Sequence, residues 1–240
     1  MSVTAYDQLR YLKNKDTYHY KNKKASDLIK MIADDFKLKI GTIEDTKFII
    51  PKRLEDNVTL FDIIYTALGI TLQNTKQMYI LYDNFGELTL KNVESMIIKD
   101  IVIDETVSEN FDYTSSIDKS YNKIKLVKNN EEEGKRELWI AQGNNMKKWG
   151  ILQFYDSKEE KEDGKTKADA LLKLYNRKFK TLKIKNVFGD TRVRAGASIV
   201  VKLDLGHAKV SNLMLVENVV HSFANEEHLM SLTLRGADIG

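Results

Sequence analysis

A chain of 240 residues, 42% hydrophobic and 30% charged, is long enough to bury a real core and has the balance of a soluble globular protein of one large or two modest domains. Its net charge of +3 is too mild to point to nucleic acid. The absence of cysteine removes thiolate catalysis, disulfides and cysteine-based zinc sites together. No apolar run approaches the roughly 20 residues that span a bilayer, and Met1 to Asn14 lacks the apolar centre and small-residue cleavage site of a secretory signal. The expectation is a chain with no signal peptide and no membrane segment.

In chain order, Asp16 to Tyr20 is a short β-prone stretch. From Ser26 to Phe36, the residues Leu28, Ile29, Ile32, Ala33 and Phe36 recur on one helical face, with Ser26 as N-cap. Lys47 to Ile50 reads as a strand closed by Pro51. A second helix is expected from Leu60 to Leu72, with the stripe Leu60, Ile63, Ile64, Ala67 and Leu68. Thr59 and Asp62 give it a Thr-x-x-acid cap. Met78 to Tyr82 and Glu87 to Lys91 flank Asp83, Asn84, Phe85 and Gly86, a hairpin whose glycine can take positive φ. Residues 1–96 therefore read as a β–α–α–β–β module, two helices on a small antiparallel sheet.

Beyond Met96 strand signals dominate, at Ile97 to Ile103, Phe111 to Ser115, Tyr121 to Val127, Glu137 to Ala141 and Ile151 to Tyr155. The charged run Asp156 to Lys167 reads as an exposed connection. A helix is expected from about 167 to 177, burying Ala168, Leu171, Leu172 and Tyr175, with Thr166 as cap. The last quarter alternates apolar and polar: Leu182 and Ile184; Ile199, Val201 and Leu203; Met230, Leu232 and Leu234. Leu213 to Phe223 and His228 to Arg235 form a hairpin across Ala224 to Glu227. Its register places Phe223 opposite His228, His221 opposite Met230 and Val219 opposite Leu232, all on one face. The fold class is α+β: the two-helix module, then an antiparallel β-barrel domain with one helix over residues 97–240.

Chemistry is hard to find on this scaffold. The chain holds His19, His207, His221 and His228. The register makes His221 and His228 diagonal neighbours, but no His/Asp/Glu spacing completes a metal site, and the pair reads as rim histidines of a β core. Gly164, Lys165 and Thr166 mimic the end of a phosphate-binding loop, yet the position needing the earlier glycine is Glu159. Gly196, Ala197 and Ser198 merely open a strand. The acidic pairs Asp34 with Asp35, and Glu159 with Glu160, read as solvated surface. Trp149 and Tyr155 read as anchors of a strand returning to the core rather than as stacking platforms for bases or sugars. No catalytic, cofactor-binding or metal-binding residue is assigned, and the chain does not read as an enzyme.

An ordered set of short motifs runs nearly the whole chain. It begins with Tyr6-Asp7-x-Leu9-Arg10-Tyr11-Leu12, Asn14-Lys15-Asp16-Thr17-Tyr18, and Tyr79-Ile80-Leu81-Tyr82-Asp83 followed by Gly86-x-Leu88-x-Leu90. It continues with Lys148-Trp149-Gly150-x-Leu152-Gln153 and Gly189-Asp190-x-Arg192-Val193-Arg194-Ala195-Gly196. It closes with Val216-Glu217-x-Val219-x-His221-x-Phe223 and His228-x-Met230-x-Leu232-x-Leu234. The set resembles the XkdQ/YqbQ type of phage-tail protein found in prophages of Gram-positive bacteria.

The resemblance implies a structural role at the baseplate hub of a contractile tail, a trimer whose β-barrel domains imitate the tube ring and join the tail tube to the central spike. Implied partners are sister subunits, tube and spike proteins; no nucleic acid contact is required and no membrane segment is expected. The implied location is the cytoplasm during assembly and then the tail particle. In the family another β-rich region precedes the segment like Tyr6 to Tyr18. Without it the ring would not close, so this chain alone is expected to be a monomer or weak oligomer. The alternative is a peptidoglycan-binding or cell-wall hydrolase tail protein, since residues 26–91 are similar to a LysM-like wall-binding module.

Overall fold

In the computed structural model, residues 2–104, 110–130, 135–157, 163–204 and 209–236 are described. The chain divides into two units, Met1–Val102 with Arg192–Val200, and Ile103–Thr191 with Val201–Gly240. His207, Glu159 and Glu160 lie outside the described residues.

In the first unit, a 3₁₀ turn at Gln8–Lys13 leads into β1 (Lys15–Lys23), α1 (Ala25–Asp35), β2 (Ile40–Ile43), β3 (Ile50–Thr59), α2 (Leu60–Thr75), β4 (Tyr79–Asp83) and β5 (Leu88–Asn92). The helical stripe of α1 is buried as its spacing requires, at Leu28, Ile29, Ile32 and Ala33. Its cap is not Ser26. The helix begins after Lys24, whose backbone N–H donates to the Asp27 carboxylate at 3.0 Å. Ser26 is buried instead and its N–H donates to Thr46 Oγ1. α2 starts where the Thr-x-x-acid signal puts it: Thr59 Oγ1 accepts from the Asp62 N–H at 3.1 Å and donates to its carboxylate at 2.6 Å.

Strand organisation departs from the expectation in two ways. Pro51 does not close a strand; it sits second in β3, which among the described residues pairs antiparallel with β1 alone. A strand with an unpaired edge tolerates a residue that cannot donate. The other sheet has the order β2-β5-β4, with β2 parallel to β5, so it is mixed rather than antiparallel. Only the β4–β5 hairpin is antiparallel, and there Gly86 takes φ +87° and donates to Asp83 Oδ1 at 2.8 Å. One apolar core joins Tyr18 and Tyr20 of β1 to α1, α2, Tyr79 and Leu90.

Beyond the 3₁₀ turn Val93–Met96, β6 (Ile97–Asp104) and β7 (Asn110–Ser116) precede β8 (Lys123–Asn130), β9 (Lys135–Gln142), the short α3 (Met146–Trp149), β10 (Gln153–Ser157) and α4 (Gly164–Tyr175). Then come β11 (Phe179–Phe188), β12 (Ser198–Asp204), β13 (Lys209–Ala224) and β14 (Glu227–Gly236). These strands do not make one antiparallel barrel. Six form a sheet in the order β6-β12-β13-β14-β11-β7, with β6 and β7 as its edges. No closed barrel occurs among the described residues. The three strands at 123–157 form a separate sheet, β10-β8-β9, in which β10 runs parallel to β8.

α4 packs on that small sheet, where Ile124, Leu126, Ala141 and Ala168 are buried with Trp139, Phe154, Leu171 and Leu172 around them. Its cap is Asp163 rather than Thr166: the carboxylate accepts from the Thr166 N–H at 3.1 Å and from the Thr166 hydroxyl. Phe154, stacked on Tyr175 with ring centres 5.6 Å apart and edge-on to Tyr121, is the inward aromatic of β10. Its neighbour Tyr155 faces solvent, so the anchor expected at Tyr155 is one residue earlier.

The period-two core of the large sheet is as the sequence spells it, with Leu182, Ile184, Ile199, Val201, Leu203, Met230, Leu232 and Leu234 all buried. The β13–β14 register also matches, pairing Phe223 with His228, His221 with Met230 and Val219 with Leu232. A bulge between Val216 and Asn218 changes the phase. Met214 and Val216 are buried before it, and Val219 and His221 continue the same face after it. That face becomes exposed toward the turn, where Phe223 is 68% accessible.

Three outcomes test this account. Asn225 and Glu226 both hold positive φ, +51° and +64°, at the β13–β14 turn. Asparagine accepts that conformation and glutamate resists it, so Glu226→Gly should raise stability by about 1 kcal/mol in urea unfolding. The buried Tyr20 hydroxyl has no hydrogen-bond partner among the described residues, and burial, with help from the Glu55 charge, pushes its pKa up to about 12. Tyr20→Phe should therefore stabilise by about 1 kcal/mol, read by the same assay.

The third concerns Asp45, held down to about 2 by the hydrogen bond from Lys24 Nζ at 2.9 Å and then by the Lys47 N–H. A depressed carboxylate stabilises the fold above its ordinary 3.8 and loses that contribution as pH falls through about 2. Lys24→Met should move the Asp45 midpoint back toward 3.8 in an NMR titration.

Candidate functional site

The motif residues converge on structural contacts, and the tightest set joins segments far apart in sequence. β12 is preceded by the stretch Arg192 to Ala197, which docks on the β4–β5 hairpin within the first unit. Arg194 places its guanidinium over the Tyr82 ring, 4.5 Å from the centroid, and its Nη1 donates to the Asp83 carbonyl at 3.4 Å. Val193 beside it is buried, and the Ala197 N–H closes a turn onto the Arg194 carbonyl at 3.0 Å. Gly196 has φ +91°, and a Cβ there would lie 2.8 Å from Ile80 Cγ1. Only glycine meets both the backbone conformation and the close approach. The pair Arg192 to Asp100, 2.8 Å, is more than half exposed and adds little.

The other motifs have comparable duties. Asp7 accepts from the Leu9 N–H at 3.0 Å to start the 3₁₀ turn, and Leu12 of that turn is fully buried. The Thr17 hydroxyl donates to Asp56 at 2.7 Å and accepts from the Asn57 N–H, bracing the bulge where Asn57 takes φ +54°. Tyr18 donates to Asp35 Oδ2 at 2.6 Å; burial first, then that bond, pushes its pKa up. In the stretch Lys148 to Gln153, Gly150 has φ +74° and ψ −174°, a region open only to glycine. The fully buried Asn122 amide spans it, donating to the Gly150 carbonyl at 2.8 Å and accepting from the Leu152 N–H at 2.9 Å.

Among the described residues, those weighed for chemistry do not assemble into a reaction centre. Gly164, Lys165 and Thr166 are a helix start already capped by the Asp163 carboxylate, and Trp139 lies where a Gly164 side chain would be. Asp34 makes an exposed ion pair with Lys37 at 3.7 Å while Asp35 holds Tyr18. Tyr155 receives a hydrogen bond from Arg136 at 2.7 Å and lies under Lys125, and Trp149 is half-buried at the end of α3. His221 and His228 do come together, with Nδ1 and Nε2 2.9 Å apart. Among the described residues no group of three histidine or acidic side chains is placed to hold a metal. The sequence offers no sign of Asn122 and marks Asp35 only as solvated surface, because a buried amide or a tyrosine partner has no periodic signature.

The contacts above account physically for motif residues from Asp7 to Gly196, and the YQBQ-like profile matches residues 1–235. The chain belongs to the YQBQ-like family. It is 26% identical to the uncharacterized protein YqbQ and 24% identical to the phage-like element PBSX protein XkdQ, both from Bacillus subtilis (strain 168). Each alignment covers 97% of this chain and 72% of the relative. Among solved structures, the prophage MuSo2 43 kDa tail protein from Shewanella oneidensis superposes with a TM-score of 0.68 at 10% identity, over 95% of this chain and 71% of that one. At that identity the likeness is one of fold.

Gly196→Ala should destabilise by about 2 kcal/mol from backbone strain and the clash with Ile80. A double-mutant cycle of Arg194→Ala with Tyr82→Leu should show a coupling of about 1 kcal/mol, measured by urea unfolding followed by circular dichroism.

Proposed function

We propose that this protein is a structural component of a phage tail or phage-tail-like particle, placed in the baseplate hub that joins the tail tube to the central spike. The observation that carries the reading is YQBQ-like membership across residues 1–235, alongside a fold shared with a prophage tail protein. The relative XkdQ is a phage-like element protein by name, which supports the same reading. In this role the six-stranded sheet contributes to a barrel-like wall completed by sister subunits, in a trimer within a contractile particle. Its edge strands β6 and β7 supply backbone groups for such pairing. The two-helix region is an accessory module, LysM-like in its helix content. The particle, after assembly in the cytoplasm, is the proposed location.

A non-enzymatic role accords with motif residues whose roles are capping, bulge bracing and packing. Electron cryo-microscopy of the assembled particle tests the proposal: density for this chain should lie at the junction of tube and spike in three copies. Density elsewhere in the particle would overturn the hub assignment. Binding to purified peptidoglycan, or clearing in a zymogram, would favour a wall-acting protein instead.

A further inference from the structure

The second unit carries two exposed surfaces of opposite charge. One is the face of the β10-β8-β9 sheet turned away from α4. Ile124, Leu126, Trp139 and Phe154 pack in the core with α4, so the alternate residues Lys125, Leu138, Ile140 and Tyr155 line the other side. The register sets Tyr155 beside Lys125 and Lys125 beside Ile140, with Leu138 one row further on. Leu138 and Ile140 are each 49% exposed. Lys125 lies over the Tyr155 ring, Arg136 donates to its hydroxyl at 2.7 Å, and Lys123 shares the face. Glu137 and Asp156 have the opposite parity, so the described residues of these strands put three cations and no carboxylate on this side.

The other surface is the end of the β13–β14 ribbon. Phe223 is exposed on one face of it. Phe188 of β11 pairs with Leu229 and lies on the opposite face with Val220, and Phe188 is 77% exposed. An antiparallel sheet in water keeps one polar face, yet this end shows apolar side chains on both. The turn adds Glu226 and Glu227, both exposed, and no lysine or arginine lies between Val219 and Leu229. Glu226 holds φ +64°, a conformation that costs a glutamate, so its carboxylate stands there against the backbone's preference.

We propose that the acidic, apolar end of the β13–β14 ribbon docks on the cationic β10-β8-β9 face of a second copy of this chain. The two surfaces match in both respects that decide specificity. Phe223 and Phe188 meet Leu138, Ile140 and Tyr155, while Glu226 and Glu227 meet Lys125 and Arg136. This contact rests on the sister-subunit association proposed above and names the surfaces that make it. Because two different patches meet, the contact repeats from copy to copy and closes as a ring when the rotation allows. A ribbon end on three short strands covers less than the roughly 800 Å² per partner of a stable pair. The contact is therefore weak between two free chains and gains strength from ring closure.

The test traps this weak contact in the full chain, whose lack of cysteine makes any introduced thiol unique. Ala224→Cys marks the ribbon end, Gln142→Cys marks the rim of the sheet face, and Gln73→Cys on α2 is the exposed control. Equal mixtures are treated with a short bismaleimide, and mass spectrometry identifies the joined pairs. Ala224→Cys should join Gln142→Cys about tenfold more than it joins Gln73→Cys or itself. Glu226→Lys with Glu227→Lys on the first chain, or Lys125→Glu with Arg136→Glu on the second, should lower that yield about tenfold. Mixing the two charge-reversed chains should restore it, which a merely unfolded variant would not do, and circular dichroism checks each fold. Yields no higher than the control, preferential joining of Ala224→Cys to itself, or no recovery in the charge-reversed mixture would overturn the proposal. Those results are read in solution, so they leave the placement in the hub to be decided by electron cryo-microscopy of the particle.

Discussion

The constraint on which the first unit depends is the approach of the Arg192 to Ala197 stretch to the β4–β5 hairpin. A segment that follows β11 by only a few residues belongs spatially with strands more than a hundred positions earlier. Closing so long a loop costs entropy, and the contact must repay it. It does so with a guanidinium over an aromatic face, a buried valine, and a glycine that lets the backbone reach Ile80. Gly196 is matched to Ile80 and Arg194 to Tyr82, side by side in the same contact. Two motifs that look unrelated in sequence are the two halves of one contact.

Bulges are the second organising device. Asn57, Asn186 and the residues around Glu217 each break the phase of a strand at a place where the buried side would otherwise switch. In β11 the irregularity between Ile184 and Val187 keeps Val187 buried after Leu182 and Ile184. Two of these positions use asparagine in the left-handed conformation, where its short polar side chain is tolerated. The result is long ribbons that bend while keeping one apolar face.

Legibility from the sequence varied with the range of the signal. Helix α2 and its cap, the apolar alternation of the large sheet, and the His228–Phe223 register were all readable, because each rests on neighbours within a turn or across one hairpin. The N-cap of α1 was misplaced because Ser26 is the better capping type, and only the tertiary fold, through Thr46, uses it elsewhere. The sequence places the strands at 123–157 in one antiparallel barrel with the rest of residues 97–240, because period two says which face is apolar and nothing about which strand is the neighbour. β2 was missed because a four-residue strand carries too little pattern. For the chemical candidates, sequence could reject the phosphate-loop mimic by its missing glycine. The Asp163 cap that occupies that helix start became visible only with the backbone in place.

What the chain determines by itself is local: where helices begin, which residues face a core, where asparagine and glycine permit a turn, and which ordered motifs mark the family. Those properties depend on propensity and periodicity within about ten residues. The tertiary structure alone decided that the described residues make three small sheets and a six-stranded one, that β10 runs parallel to β8, and that Arg194 reaches Tyr82. Such choices come from packing between segments distant along the chain, where the free energy depends on partners that no local window contains.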